Sequence, residues 1–194
     1  MKALALIPAI AGLTSAETFS FGMKIGIPMN SLLTSAAPGF TVTTHRYTLG
    51  PTIEMDLPLR FAVEADLIYK RLEYGFAPSG ASVTQTPPNA VKASRWELPV
   101  LLKYKLAGRH FHPFLEAGAS FNRVVHIEGM NVAELRHRGT KGILVGTGVE
   151  KRLGRLRLTP EARITRWADR NFGVHDAPLR SNLTQAEFLI GVTF

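Results

Sequence analysis

The amino-acid sequence predicts an all-β protein, a closed eight-stranded antiparallel up-and-down transmembrane β-barrel. Three observations support this fold class. Hydrophobic residues alternate with polar ones in eight segments, charged residues are confined to one face of those segments, and short and long connections alternate between them. A period of two residues puts successive side chains on opposite faces of a strand, so each segment has one apolar and one polar face.

The eight alternating segments are residues 19–27, 47–57, 61–70, 96–106, 111–121, 143–150, 156–164 and 186–194. One parity is bulky and apolar and contains no charged residue. The other parity carries nine of the 15 acidic residues, and it also carries Lys24 and Lys105. The predicted lumen charge network comprises Glu54, Asp56, Glu64, Asp66, Lys70, Glu97, Lys103, Glu116, Glu150, Arg157, Glu161, Arg163 and Glu187.

The connections between the segments alternate in length. Short links fall at residues 58–60, 107–110 and 151–155, and long links span residues 28–46, 71–95, 122–142 and 165–185. Transmembrane barrels show this pattern, with short periplasmic turns and longer outer loops. An even number of strands then leaves both termini of the chain on the periplasmic side.

Alternation alone does not say which face is inside, because a soluble lipocalin-like lipid carrier alternates with apolar side chains inward. Here the polar parity is rich in glycine, which suits the crowded interior of an eight-stranded barrel. The apolar parity is too bulky for that bore, and its aromatic residues cluster near segment ends, as in the girdles of membrane barrels. We therefore expect lipid outside and the charged face inside.

Composition excludes several classes of protein. The chain has no cysteine, so disulfides and thiolate metal sites are excluded. The net charge of +8 comes from scattered basic residues, which argues against a nucleic-acid partner. Lys2, an apolar stretch and the small residues Thr14, Ser15 and Ala16 form a signal-peptide pattern. We expect residues 1–16 to be a cleaved signal peptide and residues 17–194 to be the barrel domain.

No catalytic, cofactor or metal site is expected. His112, Glu116 and Ser120 share the polar face of one strand, but four residues along a strand span roughly 13 Å, too far for a catalytic triad. The inward charges could form an ion path or a proton relay. We interpret them instead as a salt-bridged plug, because buried charges persist when they are paired.

Four prolines, Pro51, Pro99, Pro113 and Pro160, lie inside the predicted strands. A proline lacks the N–H group that its neighbouring strand needs, and a closed barrel has no free edge to accommodate it. We expect local bulges or strand ends at Pro99 and Pro160.

The end of the seventh segment and the loop before the sixth carry further expectations. Arg166 and Trp167 interrupt the alternation, so the seventh strand is expected to leave the membrane near Thr165. The candidate contacts to lipopolysaccharide phosphates are basic residues of the loop at residues 122–142: Arg123, Arg136, Arg138 and Lys141. A solvated loop is the alternative interpretation.

The last segment, residues 187–194, alternates and ends in an aromatic residue. Together with residues 96–104, 113–120 and 159–163, it resembles strands of the small OmpA/OmpX-type outer-membrane barrels, the "outer membrane protein beta-barrel domain" family. The resemblance implies that Phe188, Ile190, Val192 and Phe194 form the signal recognised by the barrel-assembly machinery. It also implies a bacterial outer-membrane location.

These observations give a ranked set of functions. The first is a monomeric, non-enzymatic outer-membrane barrel with a structural or surface-interaction role, whose partners are outer-membrane lipid and lipopolysaccharide. A lipid A-modifying enzyme and a narrow channel are the alternatives, and a soluble lipid carrier ranks last.

Overall fold

In the computed structural model, residues 19–35, 40–76, 91–128, 135–173 and 179–194 are described. Within these ranges there is no helix with the length and apolar character needed to cross a bilayer. The predicted signal peptide, residues 1–16, lies outside the described residues. The elements are β1 (Phe19–Pro28), β2 (Leu33–Ser35), β3 (Phe40–Asp56), a 3-10 turn (Pro58–Arg60), β4 (Phe61–Asp66), β5 (Ile68–Phe76), β6 (Val91–Lys105), β7 (His112–Glu128), β8 (Gly139–Leu153), β9 (Leu156–Trp167), β10 (Leu179–Ser181) and β11 (Thr184–Thr193).

The strands close into a barrel. Each strand pairs antiparallel with its neighbour in the order β1, β3, β4 with β5, β6, β7, β8, β9 and β11. β4 and β5 are two halves of one strand, because both pair with β3 on one side and with β6 on the other. The last strand closes on the first along a continuous ladder from Gly22 with Thr193 to Pro28 with Glu187, and two backbone hydrogen bonds between Phe21 and Phe194, at 3.0 and 3.2 Å, extend it. The predicted closed eight-stranded fold is confirmed.

One end of the barrel carries the predicted short turns. The 3-10 turn joins β3 to β4, residues 106–111 join β6 to β7, and Gly154 at φ +66° turns β8 into β9. In the first turn, Leu59 and Arg60 have φ values of 63° and 69°. A non-glycine residue in this left-handed region costs roughly 1–2 kcal/mol, so this turn is held in a strained shape.

The prolines leave the register of their strands unchanged, although bulges or strand ends were expected at two of them. All four lie inside strands whose pairing continues through them on one side: Pro51 with β1, Pro99 with β7, Pro113 with β8 and Pro160 with β11. The expectation of a bulge or strand end at Pro99 and Pro160 is wrong. The missing N–H groups produce gaps on the other flank instead. β4 and β5 separate at Leu67, beside Pro51 and Pro99, and the pairing of β8 with β9 lapses opposite Pro160 before resuming in the same register.

The inference that Arg166 and Trp167 interrupt the alternation is also wrong, whereas the exit of this strand from the membrane near Thr165 stays a prediction. β9 runs to Trp167 with its alternation intact, so Thr165 and Trp167 face inward and Arg166 faces outward. Trp167 is buried at the outer end of the lumen, where the Arg95 guanidinium lies 5.6 Å from its ring. A tryptophan inside the barrel broke the polar pattern, whereas the strand itself continued.

At the end opposite the short turns, folded-in connections cover the lumen. β2 pairs with β10, and Leu135 forms an isolated bridge with Phe172. A small apolar cluster forms beneath them; we call it the outer cap, and it comprises Leu32, Leu33, Ala93, Val124 and Phe172, with Ile127 and Leu135 packed against it. The period-two pattern gave no indication of this cap.

The outer wall is apolar and the inner wall is charged, as predicted. Phe21, Leu98 and Phe188 are 52%, 43% and 38% exposed, whereas Glu64 and Glu161 are 2% and 1% exposed. On β6, Tyr104 and Trp96 mark the two ends of the apolar wall, eight residues apart. This is about 27 Å along the strand and about 21 Å along the barrel axis at a typical strand tilt, close to the ≈ 25 Å apolar band of outer-membrane barrels.

Candidate functional site

The structure places every residue of the predicted lumen charge network on the inner wall of the barrel. All are buried except Asp56, which is partly exposed at the mouth beside the short turns. They form three layers along the barrel axis, and the members contact one another across the bore.

The layer nearest the short turns joins four strands, β3, β6, β8 and β9. Lys105 on β6 places its Nζ 2.7 Å from Glu54, 2.6 Å from Asp56 and 3.2 Å from Glu150. Arg157 on β9 lies 2.6 Å from Glu54 and 3.1 Å from Glu150. Two cations and three carboxylates therefore close this mouth, and neither cation depends on a single partner.

Arg163 is the centre of the middle layer. Its Nε donates to Glu116 Oε1 at 2.7 Å, and its Nη1 donates to Asp66 Oδ2 at 2.6 Å. Its Nη2 lies 2.5 Å from Glu64 Oε1 and 2.9 Å from Glu161 Oε1. The guanidinium is 1% exposed and ties β9 to β4 and β7 across the lumen. A planar group with five donors suits this task better than an ammonium group.

Two lysines complete the middle layer. Lys24 Nζ on β1 lies 2.5 Å from Glu64 and 2.8 Å from Glu161. Lys103 Nζ on β6 lies 2.5 Å from Glu64 and 3.1 Å from Glu54, so it links the middle layer to the layer below. With Arg163, these lysines cross-link strands from opposite sides of the barrel.

The outer layer lies below the outer cap. Lys70 on β5 lies 2.6 Å from Glu97 and 2.9 Å from Glu187. Arg95 also forms an ion pair with Glu97. This layer therefore joins β5, β6 and β11.

Sequence reasoning missed Arg95, because the fourth segment was started one residue later, at Trp96. The side chain is 2% exposed, donates to Gln185 Oε1 at 2.7 Å and packs against Trp167. Its inward parity was visible in the sequence two positions before Glu97, so extending the alternation would have found it.

Inward glycines leave room for the large side chains of the network. An ideal Cβ at Gly146 would lie 2.4 Å from Glu116 Oε1, and one at Gly148 would lie 2.5 Å from the ring of Phe114. Phe114 in turn lies under the Lys103 ammonium, 4.5 Å from it. Small and large residues therefore alternate around the bore, as its narrow diameter requires.

Within the described residues, the lumen holds nine carboxylates against seven cations. Glu64, Glu116 and Glu161 offer oxygens within 4.8 Å of one another, which is close enough for a metal ion. These carboxylates already contact Lys24, Lys103 and Arg163. A metal cation would have to enter among three positive charges, so the cluster is suited to ion pairing and not to metal binding.

His112, Glu116 and Ser120 lie on the inner side of β7, on the wall assigned from the sequence. His112 pairs in register with Glu150, whereas Ser120 pairs with Pro99 and Gly142. They are therefore at different heights in the lumen, which is not an arrangement for nucleophilic catalysis.

The predicted lipopolysaccharide contacts separate into two groups. Arg123 on β7 and Lys141 on β8 are exposed on the outer wall at the outer rim. Arg136 and Arg138 are exposed in the connection between these strands. Arg136 lies 3.9 Å from Asp169, which also receives a 3.0 Å contact from His137.

Arg166 joins Arg123 and Lys141 in a basic row that sequence reasoning did not find. Arg123 pairs with Gly139, two residues from Lys141, and Arg166 pairs with Ile143, two residues on the other side of Lys141. Diagonal neighbours of this kind are about 7–8 Å apart on one face of a sheet. We call Arg123, Lys141 and Arg166 the outer basic row.

The predicted assembly residues share the outer face of β11. Phe188 and Val192 are exposed, Ile190 is half-buried, and Phe194 is 74% exposed at the barrel mouth. β11 pairs with β1 and β9, so this face belongs to the strand that closes the barrel.

Comparison with known proteins identifies the fold. No family model matches the sequence, and no curated protein matches it significantly. Among solved structures, the outer membrane protein OprG from Pseudomonas aeruginosa matches with a TM-score of 0.58 at 13% identity, covering 90% of this chain and 92% of OprG. The fold is that of a small outer-membrane β-barrel.

Two other barrels align over similar lengths. Neisserial surface protein A covers 90% of this chain and 94% of its own at 15% identity, with a TM-score of 0.47. The N-terminal β-barrel domain of Pseudomonas aeruginosa OprF covers 91% and 98% at 12% identity, with a TM-score of 0.45. The assignment rests on OprG and on the chain's own closed eight-stranded topology.

Proposed function

We propose that the protein is an integral, monomeric outer-membrane barrel with a structural or surface-interaction role, whose lumen is plugged by its charge network. The observation that carries this proposal is the middle layer, where Lys24, Lys103 and Arg163 cross-link strands inside an apolar outer wall. Charges in this number are stable inside a barrel when they are paired, and paired charges fill the bore.

A plugged lumen predicts that the barrel does not conduct. Each layer of the network spans several strands, and the outer cap covers the end opposite the short turns. Opening a water path would require several buried ion pairs to separate together. The apolar outer wall, about as tall as the hydrocarbon band of an outer membrane, supports integral insertion.

The outer basic row supports a contact with lipopolysaccharide. Arg123, Lys141 and Arg166 project from the outer wall just above its apolar band, which is the level of the phosphate groups of lipid A in an outer leaflet. Arginine and lysine bind phosphate oxygens through charge-assisted hydrogen bonds. Arg138 is exposed in the neighbouring connection and could extend this surface, whereas Arg136 shares Asp169 with His137.

Two further proposals concern biogenesis. We propose that residues 1–16 are removed on secretion, and that the outer face of β11 is read by the barrel-assembly machinery. The intact mass of the protein isolated from membranes tests the first proposal. Replacing the exposed Phe194 by alanine tests the second, because assembly into the membrane should slow while refolding into detergent should not.

The test combines fractionation and electrophysiology. We expect the protein to fractionate with the outer membrane and to migrate differently on gels before and after boiling, because a closed barrel resists detergent until heated. In planar bilayers it should give no steady conductance at neutral pH. A stable open channel would refute the plug, and unchanged migration with a soluble fraction would refute the membrane barrel.

Lipid A mass spectrometry separates the binding role from an enzymatic one. Cells with and without the protein should yield the same lipid A species if the outer basic row only binds. A modified lipid A that appears with the protein would contradict the non-enzymatic proposal.

A further inference from the structure

The three short turns at the periplasmic end form a basic collar. Residues 57–60, 106–111 and 151–155 contain Arg60, Arg109, His110, Lys151, Arg152 and Arg155, and they contain no acidic residue. The nearest carboxylates, Asp56 and Glu150, already face the lumen cations, and Glu150 also lies 4.0 Å from Arg152. Among the described residues, no carboxylate forms an ion pair with Arg60, Arg109, Lys151 or Arg155, so their charge is open to a partner outside the barrel.

One part of this collar lies against the lipid-facing wall. Leu59, Arg60, Phe61 and Tyr104 line a shallow groove of about 560 Å³. Phe61 and Tyr104 are outward-facing neighbours on β4 and β6, with ring centroids 5.1 Å apart. Leu59 is 84% exposed at the tip of the turn. The groove therefore has a cationic edge at the turn, formed by Arg60, and an apolar floor formed by Leu59, Phe61 and Tyr104.

Arg60 is available for a ligand. Within the described ranges it makes no ion pair and no side-chain hydrogen bond, and it lines both this groove and the pocket at the barrel mouth beside Asp56. Leu59 and Arg60 both have a left-handed backbone conformation in this turn. Backbone strain of this kind often occurs where a turn serves a ligand. A similar arrangement recurs across the rim, where Lys151 Nζ lies 5.0 Å from the ring of Phe111.

The charge of the groove and its position at the end of the apolar wall indicate which molecule it binds. Aromatic side chains at the end of an apolar wall mark the boundary between acyl chains and headgroups. A guanidinium beside that boundary can form two hydrogen bonds to a phosphate, and the apolar floor can accept the first part of an acyl chain. An ethanolamine headgroup carries its own cation and gains less from a basic collar.

We propose that this groove binds an anionic glycerophospholipid of the inner leaflet, with Arg60 holding the phosphate and Leu59, Phe61 and Tyr104 contacting the acyl chain. The inference rests on the proposed insertion of the barrel, because that insertion places the short turns at the inner leaflet. A juxtamembrane basic residue contributes roughly 1 kcal/mol to the binding of an anionic surface, equivalent to about a fivefold preference.

The test follows the barrel by NMR in phosphatidylcholine bicelles, while phosphatidylglycerol replaces a rising fraction of the lipid. The amide signals of residues 59–61 and 104 should shift to saturation. In Arg60→Gln the midpoint should move to an about fivefold higher fraction, and Arg60→Lys should recover most of the loss. Arg180→Gln, on β10 at the opposite end of the barrel, should keep the native midpoint.

Three outcomes would overturn the proposal, and a fourth outcome would refute the membrane insertion on which it rests. Shifts that rise linearly and equally in the native protein and in Arg60→Gln would show that no site exists. An equal response to glycerol phosphate, which has no acyl chains, would show a free-phosphate site instead of a lipid site. Equal responses to phosphatidylglycerol and to an ethanolamine lipid would remove the charge argument. Failure to insert into bicelles, seen as unchanged gel migration on heating, would instead refute the membrane barrel.

Discussion

Replacing Arg163 by methionine would test the energetic role of the lumen network. The guanidinium contacts four carboxylates at 2.5–2.9 Å and is almost fully buried. Methionine has a similar length and fills an apolar space, but it cannot neutralise a charge. The four carboxylates would be left with Lys24 and Lys103 alone. Removing one partner from a buried ion-pair network costs about 3–5 kcal/mol.

The effect can be measured by equilibrium unfolding in urea, with the barrel refolded in detergent micelles and followed by tryptophan fluorescence and gel migration. With a slope of about 2 kcal/mol/M, a loss of 3–5 kcal/mol lowers the unfolding midpoint by about 1.5–2.5 M. Both probes should report the same midpoint, because a closed barrel unfolds as one unit.

A matched control is Arg166→Gln, three residues along the same strand on the outer wall. Its guanidinium is exposed and donates to Thr184 Oγ1, so its loss should change the free energy of unfolding by less than about 1 kcal/mol. The double variant Arg163→Met with Glu116→Gln should recover part of the loss, since one stranded carboxylate is removed. If Arg163→Met unfolds within 0.5 M of the native protein, the network does not stabilise the barrel.

Three further outcomes are expected. Gly118→Ala should destabilise the barrel strongly, because the added Cβ would lie 2.0 Å from a backbone oxygen of β6. Gly191→Ala should be tolerated, because the nearest neighbour of its Cβ would lie 3.5 Å away. Equal urea midpoints for the two variants would contradict the close approach at Gly118. The pKa of Asp169 is held below its ordinary 3.8 by the backbone N–H of Arg170 and by nearby basic residues, so this contact should be complete above pH 3.8 and be lost as pH falls through the lowered value; an Arg170 amide signal that does not titrate in NMR would contradict it. Phe172→Ala should speed amide exchange in residues 29–35 and 179–183 while leaving gel migration unchanged, because the outer cap packs around this ring; exchange at the native rate would show that the cap does not depend on it.

The barrel wall could be predicted from sequence because one physical constraint dominates it. Every wall residue faces either lipid or the lumen, so the alternation of Phe21 and Lys24 or of Leu98 and Glu97 carries the topology. The same parity placed the lumen charges on one wall. Their partners could not be read from it, because ion pairs such as Lys24 with Glu161 join residues 137 positions apart in sequence.

The errors occur where a second constraint competes with alternation. Trp167 is apolar but faces inward, because it packs on Arg95, so the strand was ended too early. The prolines were expected to bend their own strands, but the register is fixed by both neighbours, and the cost appeared as gaps in the adjacent pairing. The outer cap is made from connections without any period, so no pattern in Leu32 or Phe172 announced it.

Whether the apolar wall contacts lipid can be measured with spin labels, since the chain contains no cysteine and single sites can be introduced cleanly. Labels at Leu98 and Leu102, which face outward, should collide readily with oxygen dissolved in the bilayer and rarely with a water-soluble nickel complex. A label at Leu101, which is buried, should collide rarely with either. Labels at Leu98 and Leu102 that meet the nickel complex as freely as a label in water would contradict the membrane-spanning barrel.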